Sequence, residues 1–299
     1  MEISIPTPSG FSFKRTAISH GWYNLAPFDL DQERWILSRV LDMGPSHPIM
    51  VKISGGNGAV KVSTSRALGK RASEKVVRDV RHILRFDDEM TGFYAAVCGD
   101  PEFEWIAGSG AGRLLRSPTV FEDLVKTMCT TNCSWALTYK MVEGLVNELG
   151  RESPEGRRTF PTAEAMASRP ERFYREVIRA GYRAPYFKEL AERVASGALD
   201  VESWARSDLA TPDLRREMKK VKGVGDYAAE NLLKLIGRYD CLALDSWVRG
   251  KFKRTRNGGR KTSDKKIERY YARFGEWRGL ALWCDMTRDW LESEDTRAW

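Results

Sequence analysis

Two short segments of the chain contain residues whose types and spacing could do chemistry. In the first, Gly223-Val224-Gly225 separates two stretches with helical patterning and predicts a tight turn between helices. Backbone amides at such a turn, and at the start of the second helix, can bind a phosphate oxygen without reading a base. Lys222 adds charge beside the turn, and Val224 is expected to plug it into the core. An ordinary glycine-capped turn has the same pattern, so this segment alone does not decide the function.

The second segment places Asp245 after the apolar run Cys241-Leu242-Ala243-Leu244, where the next helix should begin. Aspartate is a good helix N-cap, which is by itself a sufficient structural reason for this residue. A helix N-terminus also favours the ionised form of a carboxylate. Beside an extrahelical nucleotide, an ionised carboxylate can stabilise an oxocarbenium-like sugar and orient a water at C1′. A carboxylate at this position could therefore take part in hydrolysis of a glycosidic bond.

Composition and charge narrow the class of partner. The 299 residues are 42% hydrophobic, which is enough for one large or two modest domains. The formal net charge of +8 favours a polyanion such as nucleic acid, a membrane surface or an acidic protein. The sequence contains no run of about 18 apolar residues and no pattern of a secretory signal at its N-terminus. We therefore expect no association with a membrane.

The cysteines and histidines do not predict a metal site. The five cysteines are odd in number and scattered, which predicts reduced thiols in a cytosol-like compartment. Cys129 and Cys133 are close enough for half of a site, but no second pair of ligands has matching spacing. We expect a cytoplasmic, nucleoid-associated protein if the chain is bacterial and a nuclear protein if it is eukaryotic.

The elements that must position these segments divide into two regions. Residues 1–112 are predicted to form an α+β domain, with a hairpin around Gly55–Gly58, short strands within residues 11–30 and a basic amphipathic helix over 73–84. Residues 113–299 are predicted to be all helical.

Helix start signals dominate this second region. Ser117-Pro118 predicts an N-cap followed by proline at the first helical position. A further helix is predicted over residues 134–149, ending before Gly150. The fold class is therefore mostly α with an N-terminal α+β domain.

Taken together, the glycine turn and Asp245 resemble the helix-hairpin-helix (HhH-GPD) DNA glycosylase superfamily, whose signature is this hairpin, a Gly/Pro-rich loop and a catalytic Asp. The resemblance covers most of the chain. Residues 114–118 and Thr130-Thr131-Asn132 are similar to the start and end of the first core helix of 8-oxoguanine DNA glycosylases, and residues 277–283 resemble the closing helix of the family. The N-terminal domain fits that branch and also the 3-methyladenine DNA glycosylase II branch. The resemblance implies the glycosylase fold.

By this resemblance, Asp245 is catalytic and the hairpin residues bind the DNA backbone. Asn132 would occupy the space that the flipped nucleotide leaves, Tyr182 would wedge the base stack, and Arg183 would hydrogen-bond the orphaned partner base. An aromatic face suits stacking and a guanidinium suits base edges. The alternative is that Tyr182-Arg183 is only a polar loop after a helix.

The chain departs from the lyase-competent branches at one position. Their Schiff-base lysine lies two residues after the second glycine, where this chain has Tyr227. A phenol cannot replace that amine, which predicts a monofunctional enzyme, although Lys222 and Lys234 remain open as substitute amines. The 3-methyladenine branch also has an aromatic residue there. Tyr227 and Trp247 are thus expected to line the base pocket, where Tyr227 would suit electron-poor alkylated bases, and a core tyrosine is the alternative.

A basic stretch follows the presumed catalytic helix. Between Arg249 and Lys266 the only acidic residue is Asp264, and Asn257-Gly258-Gly259 predicts a loop. A solvated basic loop is the ordinary interpretation. Its position after Asp245 favours contacts with backbone phosphates, and the expected contacts are Arg249, Lys251 and Lys253.

These observations combine into one prediction. The chain is expected to be a monomeric, monofunctional N-glycosylase that excises damaged purines, alkylated ones first, from double-stranded DNA. No metal or cofactor is expected, with a monovalent cation at the hairpin left open. An iron–sulfur cluster is excluded, because only Cys284 follows Asp245. The alternatives are an oxidised-purine glycosylase, a non-catalytic helix-hairpin-helix DNA-binding protein, and an RNA-binding or structural role suggested by basicity alone.

Overall fold

The N-terminal strands form one antiparallel sheet in the computed structural model, which describes residues 1–291. The order across the sheet is β1-β5-β4-β3-β2. The strands are β1 (Glu2–Pro6), β2 (Phe28–Asp31), β3 (Ile36–Leu41), β4 (Ile49–Gly55) and β5 (Ala59–Thr64). Strands β4 and β5 pair on either side of the glycine-rich turn, where Gly58 has a φ of +70°. The predicted hairpin is therefore confirmed.

Residues 11–30 differ from the short strands that their aromatic content predicts. They form a helix, α1 (Phe13–Ala17), a 3-10 turn over Gly21–Asn24, and only then β2. The Ser12 hydroxyl starts α1 by accepting a hydrogen bond from the Arg15 amide at 3.3 Å. The aromatic residues of this segment serve tertiary packing, because Trp22 and Tyr23 are buried without being part of a strand.

The rest of the described chain is helical. Its helices are α2 (Lys70–Ile83), α3 (Thr91–Val97), α4 (Trp105–Ser109), α5 (Val120–Thr130), α6 (Trp135–Leu149), α7 (Ala163–Ala167), α8 (Glu171–Glu176), α9 (Ala184–Ala195), α10 (Thr211–Met218), α11 (Asp226–Leu235), α12 (Ser246–Arg256), α13 (Asp264–Tyr271) and α14 (Arg278–Met286). None of the helices within residues 1–291 is long and apolar enough to cross a membrane. The mostly α fold with a small N-terminal sheet is as predicted.

Helix α5 begins later than the Ser117-Pro118 signal predicts. The N-cap is Thr119, whose hydroxyl accepts a hydrogen bond from the Glu122 amide at 3.2 Å. The Glu202 carboxylate accepts two more bonds, from the amides of Val120 and Phe121 at 3.0 and 2.9 Å. The capping side chains therefore set the helix start, and the proline lies before it.

Two apolar cores hold the elements together. The larger core joins the sheet to helices α5, α6, α9 and α11, and the smaller one joins α3 and α4 to α12, α13 and α14. Helices α3 and α4 precede the predicted domain boundary at residue 112, yet their buried side chains pack against the C-terminal helices. The N-terminal hundred residues thus contribute to both cores.

A buried charge cluster connects the sheet to the helices. Glu122 on α5 pairs with Arg39 on β3 at 2.6 Å and with Lys126 at 2.7 Å, and all three side chains are buried. Burial raises the pKa of Glu122, but the positive charges of Arg39 and Lys126 have the larger combined effect and lower the pKa to about 2. The carboxylate is therefore ionised, and each of its partners depends on it for charge compensation.

We predict that Glu122→Gln lowers the free energy of unfolding at pH 7 by about 3 kcal/mol, because it leaves two buried cations without a counter-charge. Denaturant unfolding measures the change. Since folding lowers this pKa, the wild-type contribution is complete above the usual glutamate pKa and is lost as the pH falls through about 2. Glu148→Gln, on an exposed part of α6, is the matched control and should change stability by less than about 0.5 kcal/mol. Equal effects of the two substitutions would refute this role of Glu122.

Candidate active site

The two glycines of the turn between α10 and α11 have different physical roles. Gly223 has a φ of +87°, and a Cβ there would lie 2.7 Å from the Tyr186 ring and 3.0 Å from the Met128 methyl. Gly225 is the N-cap of α11, and apart from its chain neighbours no atom of residues 1–291 lies within 4 Å of a Cβ placed there. The fold therefore demands Gly223, whereas Gly225 leaves open space above the helix N-terminus, where a phosphate can approach.

The residues beside the glycines complete the hairpin. Val224 is buried, as its predicted role as a core plug requires. Lys222 points outward, with 66% of its side chain exposed, and pairs with Glu189 at 2.6 Å.

Asp245 occupies the predicted N-cap position of α12. Its Oδ1 accepts a hydrogen bond from the Val248 amide at 2.7 Å. The side chain is half-buried, and it lies on the wall of a cavity. A carboxylate fixed in this way by one oxygen presents a defined orientation to a reactant in the cavity.

The loop before Asp245 is held by a contact that the sequence did not reveal. Ala243 has a φ of +51°, which is unfavourable for a residue with a Cβ. Its amide donates to Glu230 Oε2 at 2.8 Å, and Arg215 on α10 pairs with Glu230 at 2.7 Å. Both helices of the hairpin therefore fix the backbone that leads into Asp245.

One cavity of about 1030 Å³ connects most of the predicted site residues. It is lined by the hairpin, by Asp245, Tyr227 and Trp247, and by Asn132, Tyr182, Arg183 and Arg249. Lys251 and Lys253 lie outside its wall. The cavity is thus the place where residues that are distant in the sequence meet.

Tyr227 and Trp247 both face this cavity. The pKa of Tyr227 is raised, first by burial and then by the negative charge of Asp245, while a hydrogen bond with Thr130 lowers it. The Trp247 ring packs against Trp283 and Trp290, with centroid distances of 5.8 and 6.0 Å. The cavity wall beside Asp245 is therefore strongly aromatic.

A further part of the wall comes from the N-terminal region, which sequence reasoning missed. His20 is buried, and burial lowers its pKa to about 3. Its Nε2 makes a hydrogen bond with the Leu115 carbonyl. The Trp22 Nε1 donates to Asp123 Oδ1 at 2.7 Å. A Cβ on Gly21 would lie 2.3 Å from the Trp135 ring, so only glycine fits there. The only signal in the sequence is the density of aromatic residues in this segment.

Lys234, on α11, lines the same cavity but is shielded from bulk water. Only 3% of the residue is exposed, and its Nζ lies 4.5 Å from the centroid of the Trp283 ring. Burial lowers the pKa of Lys234, and the negative charges of Asp245 and Glu230 act in the opposite direction, which leaves it at about 8. An amine therefore lies near Asp245, but on a different residue from position 227, where the lyase-competent branches have their Schiff-base lysine.

The residues predicted to fill the gap in the duplex, to wedge the base stack and to bond the orphaned base all line the same cavity. Asn132 is exposed, with a φ of +47°, and Tyr182 is 49% exposed. Arg183 is buried instead, and its Nε donates to the Met128 carbonyl at 3.1 Å and to the Thr131 hydroxyl at 3.3 Å. In this structure Arg183 braces the turn that carries Asn132, and its contact with an orphaned base remains a prediction.

The basic stretch is largely helical, which corrects the predicted loop. Residues Ser246–Arg256 form α12, and only the segment around Asn257-Gly258-Gly259 is a loop. Arg249 pairs with Asp264 at 2.7 Å, Lys251 pairs with Asp289 at 2.6 Å, and Lys253 is exposed. The periodic apolar residues Val248 and Phe252 bury one side of the helix, which leaves the basic side chains on its surface.

A glycine hairpin and a helix-capping aspartate on one cavity wall define the fold class of the helix-hairpin-helix DNA glycosylases. The chain belongs to the HhH-GPD superfamily of base excision DNA repair proteins, whose pattern matches residues 125–276. This match confirms the family and fold class that the sequence predicts. No curated protein sequence gives a significant match.

Solved structures support the same fold. The 8-oxoguanine glycosylase/lyase of Clostridium acetobutylicum, bound to double-stranded DNA with cytosine opposite 8-oxoguanine, is similar with a TM-score of 0.73 and 19% identity, over 95% of this chain and 93% of that one. The 3-methyladenine DNA glycosylase of Archaeoglobus fulgidus is similar with a TM-score of 0.75 and 19% identity, over 97% and 99% of the two chains. The fold thus lies equally near both branches.

Among residues 1–291, no group of three or more His, Cys, Asp or Glu side chains is arranged to hold a metal ion. All five cysteines are free thiols.

The two hairpin glycines yield a matched pair of predictions. Gly225→Ala should weaken binding to duplex DNA roughly tenfold, because the methyl group enters the space that a phosphate would use, and should cost less than about 1 kcal/mol of stability. Gly223→Ala should instead destabilise the fold by about 1 kcal/mol or more, because alanine is strained at this positive φ and its Cβ would clash with Tyr186. Thermal unfolding and fluorescence anisotropy separate the two effects. Undiminished DNA binding by Gly225→Ala would argue against the phosphate site.

Glu230 is predicted to act by positioning Asp245. Glu230→Ala should lower the excision rate about tenfold, because Ala243 loses the bond that holds its left-handed conformation. Adding Ala243→Gly to this variant should restore part of the rate, since glycine adopts that conformation without strain. Single-turnover kinetics test both variants, and an equal rate loss with and without Ala243→Gly would contradict the explanation.

Proposed function

We propose that this protein is a monofunctional DNA N-glycosylase that removes a damaged purine by hydrolysis assisted by Asp245. One observation carries the proposal. Asp245 is fixed at a helix N-terminus, on the wall of a cavity that is also lined by the hairpin and by aromatic side chains. This arrangement combines a backbone-binding element, a space for an extrahelical base and a carboxylate for the sugar.

The proposed reaction follows from these positions. The hairpin amides hold a phosphate, and the damaged nucleotide rotates out of the duplex into the cavity. The C1′–N bond then breaks, and its electron pair leaves with the base. Asp245 stabilises the positive charge that develops on the sugar and orients a water, whose oxygen bonds to C1′. One water proton ends on the base and the hydroxyl on the sugar, so the products are a free base and an abasic site.

The residue at the position of the usual Schiff-base lysine supports hydrolysis without strand cleavage, because the phenol of Tyr227 cannot form a Schiff base with C1′. Tyr227 takes the position two residues after Gly225, beside Asp245. Lys222 points outward and pairs with Glu189. Lys234 lies two helical turns beyond Tyr227, or about 10 Å along the axis of α11. We therefore propose that a water molecule attacks C1′ and that the reaction requires no cofactor.

The damaged base belongs to one of two chemical classes. The aromatic walls around Trp247 support an alkylated purine, because a cationic base is attracted to electron-rich rings. A neutral oxidised purine is the second candidate, and the observation that favours it is the buried Lys234. The similar solved structures include one glycosylase of each class, so they do not choose between them.

We propose that the partner is double-stranded DNA and that the protein acts as a monomer. The surface of α12 presents Lys253 beside the cavity, and the exposed Tyr182 and Asn132 lie at its rim. These exposed groups suit backbone contact and wedging only while this face remains open. A non-catalytic DNA-binding protein would have the same surface, and the role of Asp245 separates the two possibilities.

We predict that Asp245→Asn lowers the single-turnover excision rate by at least about 1,000-fold while duplex affinity stays within a few-fold of wild type. The substrates are duplexes with one 7-methylguanine, 8-oxoguanine or uracil, and undamaged controls. Product strands are analysed with and without alkali, and breaks should appear only after alkali.

Asp200→Asn is the matched control, because Asp200 also caps a turn, with its Oδ1 accepting from Ser203 at 3.1 Å, but lies away from the cavity. This variant should keep the wild-type rate. If wild type and Asp245→Asn behave alike on every duplex, the catalytic role is refuted and a non-catalytic binding protein is favoured.

A further inference from the structure

Two lysines are buried among residues 1–291, and within these residues only one of them has a counter-charge in contact. Lys126 pairs with Glu122 at 2.7 Å. Lys234 is buried to a similar degree, yet none of residues 1–291 provides a hydrogen-bond acceptor for its Nζ. A buried ammonium without an acceptor is costly, and such groups persist mainly where a ligand completes them. The missing acceptor of Lys234 would therefore be explained by a ligand that supplies one when it binds.

Lys234 lies two helical turns beyond Tyr227 on α11, and the charge of Asp245 acts on it. Its backbone carbonyl accepts a hydrogen bond from the buried Arg85 at 3.0 Å, and its side chain lies over Trp283. Tyr227 is on the same side of α11, two turns nearer the hairpin and beside Asp245. A nucleotide whose C1′ lies at Asp245 would direct its base from Tyr227 towards Lys234. The buried amine thus lies on the cavity wall, on the same side of α11 as Tyr227.

The surroundings determine what Lys234 can recognise. The cavity wall includes the aromatic residues Trp22, Trp247 and Trp283, and it includes His20, which is neutral because burial lowers its pKa to about 3. Asp245 and Glu230 act on Lys234 electrostatically but do not contact its Nζ. A pKa of about 8 leaves the amine mostly protonated at neutral pH. An entering base therefore meets a hydrogen-bond donor that carries a positive charge.

We propose that Lys234 is the residue that selects the substrate, and that its ammonium donates a hydrogen bond to a carbonyl oxygen of a neutral oxopurine. The inference rests on the proposed glycosylase function and specifies its substrate class. A neutral base with an acceptor satisfies the buried charge, whereas an alkylated purine such as 7-methylguanine brings a second positive charge to the same place. This reverses the order of substrates that the aromatic walls alone favour.

The test compares two lesions that share the Watson–Crick edge of guanine. 8-Oxoguanine is neutral and adds a carbonyl, whereas 7-methylguanine is cationic in DNA. Single-turnover excision of each is measured for wild type, Lys234→Met and Lys234→Gln. Methionine removes the charge and the donor at similar volume, and glutamine keeps a donor without the charge.

We expect wild type to excise 8-oxoguanine faster than 7-methylguanine. Lys234→Met should slow excision of 8-oxoguanine by about 10- to 100-fold, the value of one charge-assisted hydrogen bond, without slowing excision of 7-methylguanine. Lys234→Gln should fall between the two on 8-oxoguanine. Because Lys234→Met removes an uncompensated buried charge, its Tm should rise by about 2 °C or more.

Lys222→Met is the matched control. It removes an exposed lysine of the hairpin, so it should weaken binding to both duplexes by the same factor and leave the ratio of the two excision rates unchanged.

Several outcomes would overturn the inference. An equal fall of both rates in Lys234→Met would mean a structural role, and unchanged rates would mean no contact with the base. Faster excision of 7-methylguanine by wild type would reverse the proposed selectivity. Borohydride trapping of wild type, but not of Lys234→Met, on the lesion duplex would make Lys234 a nucleophile at C1′ instead. If wild type excises neither lesion nor any other tested base, the proposed function itself fails.

Discussion

The backbone that leads into Asp245 is constrained at two consecutive points, and the candidate chemistry depends on both. Glu230 holds Ala243 in a left-handed conformation, and the amide of Val248 holds one carboxylate oxygen of Asp245. Arg215 ties Glu230 to the first helix of the hairpin. The element suited to binding a phosphate and the group suited to acting on the sugar are thereby parts of one rigid unit. A fixed separation between these two groups is what simultaneous binding of a phosphate and a C1′ of one strand would require.

The N-terminal region is part of the same site and not an appendage to it. The cavity wall includes His20 and Trp22, which precede most of the sheet in the chain. Glu122 connects β3 to α5, and α5 carries Asp123, the acceptor for the Trp22 indole. Docking of the sheet onto α5 therefore shapes the space available to a base. We infer that the hairpin and Asp245 supply the reaction, and that the contacts between the two regions supply much of the selectivity.

Local signals were sufficient for the elements nearest the chemistry. Gly223-Val224-Gly225 and the N-cap Asp245 act through their own backbone, so their types and spacing determine where they lie. The start of α5 is different, because Glu202, distant in the sequence, completes its cap. The sequence of the basic stretch predicts a loop because its charges obscure the apolar periodicity of α12.

The cavity walls could not be derived from any one segment. His20 and Lys234 belong to separate elements whose meeting depends on tertiary packing. In the sequence, Lys234 is one basic residue of an amphipathic helix and is notable only as an amine. Its isolation from acceptors becomes visible only when burial and neighbours are known. The predicted role of Arg183 also gains a structural component, because it braces the turn of Asn132.

The most direct test of the central claim is a crystal structure of Asp245→Asn bound to a duplex that contains one 8-oxoguanine. We expect the damaged nucleotide to be extrahelical, with its C1′ beside residue 245, a phosphate on the amides near Gly225, and its base in the cavity next to Lys234. A base that remains stacked in the duplex, or an extrahelical base bound outside this cavity, would contradict it.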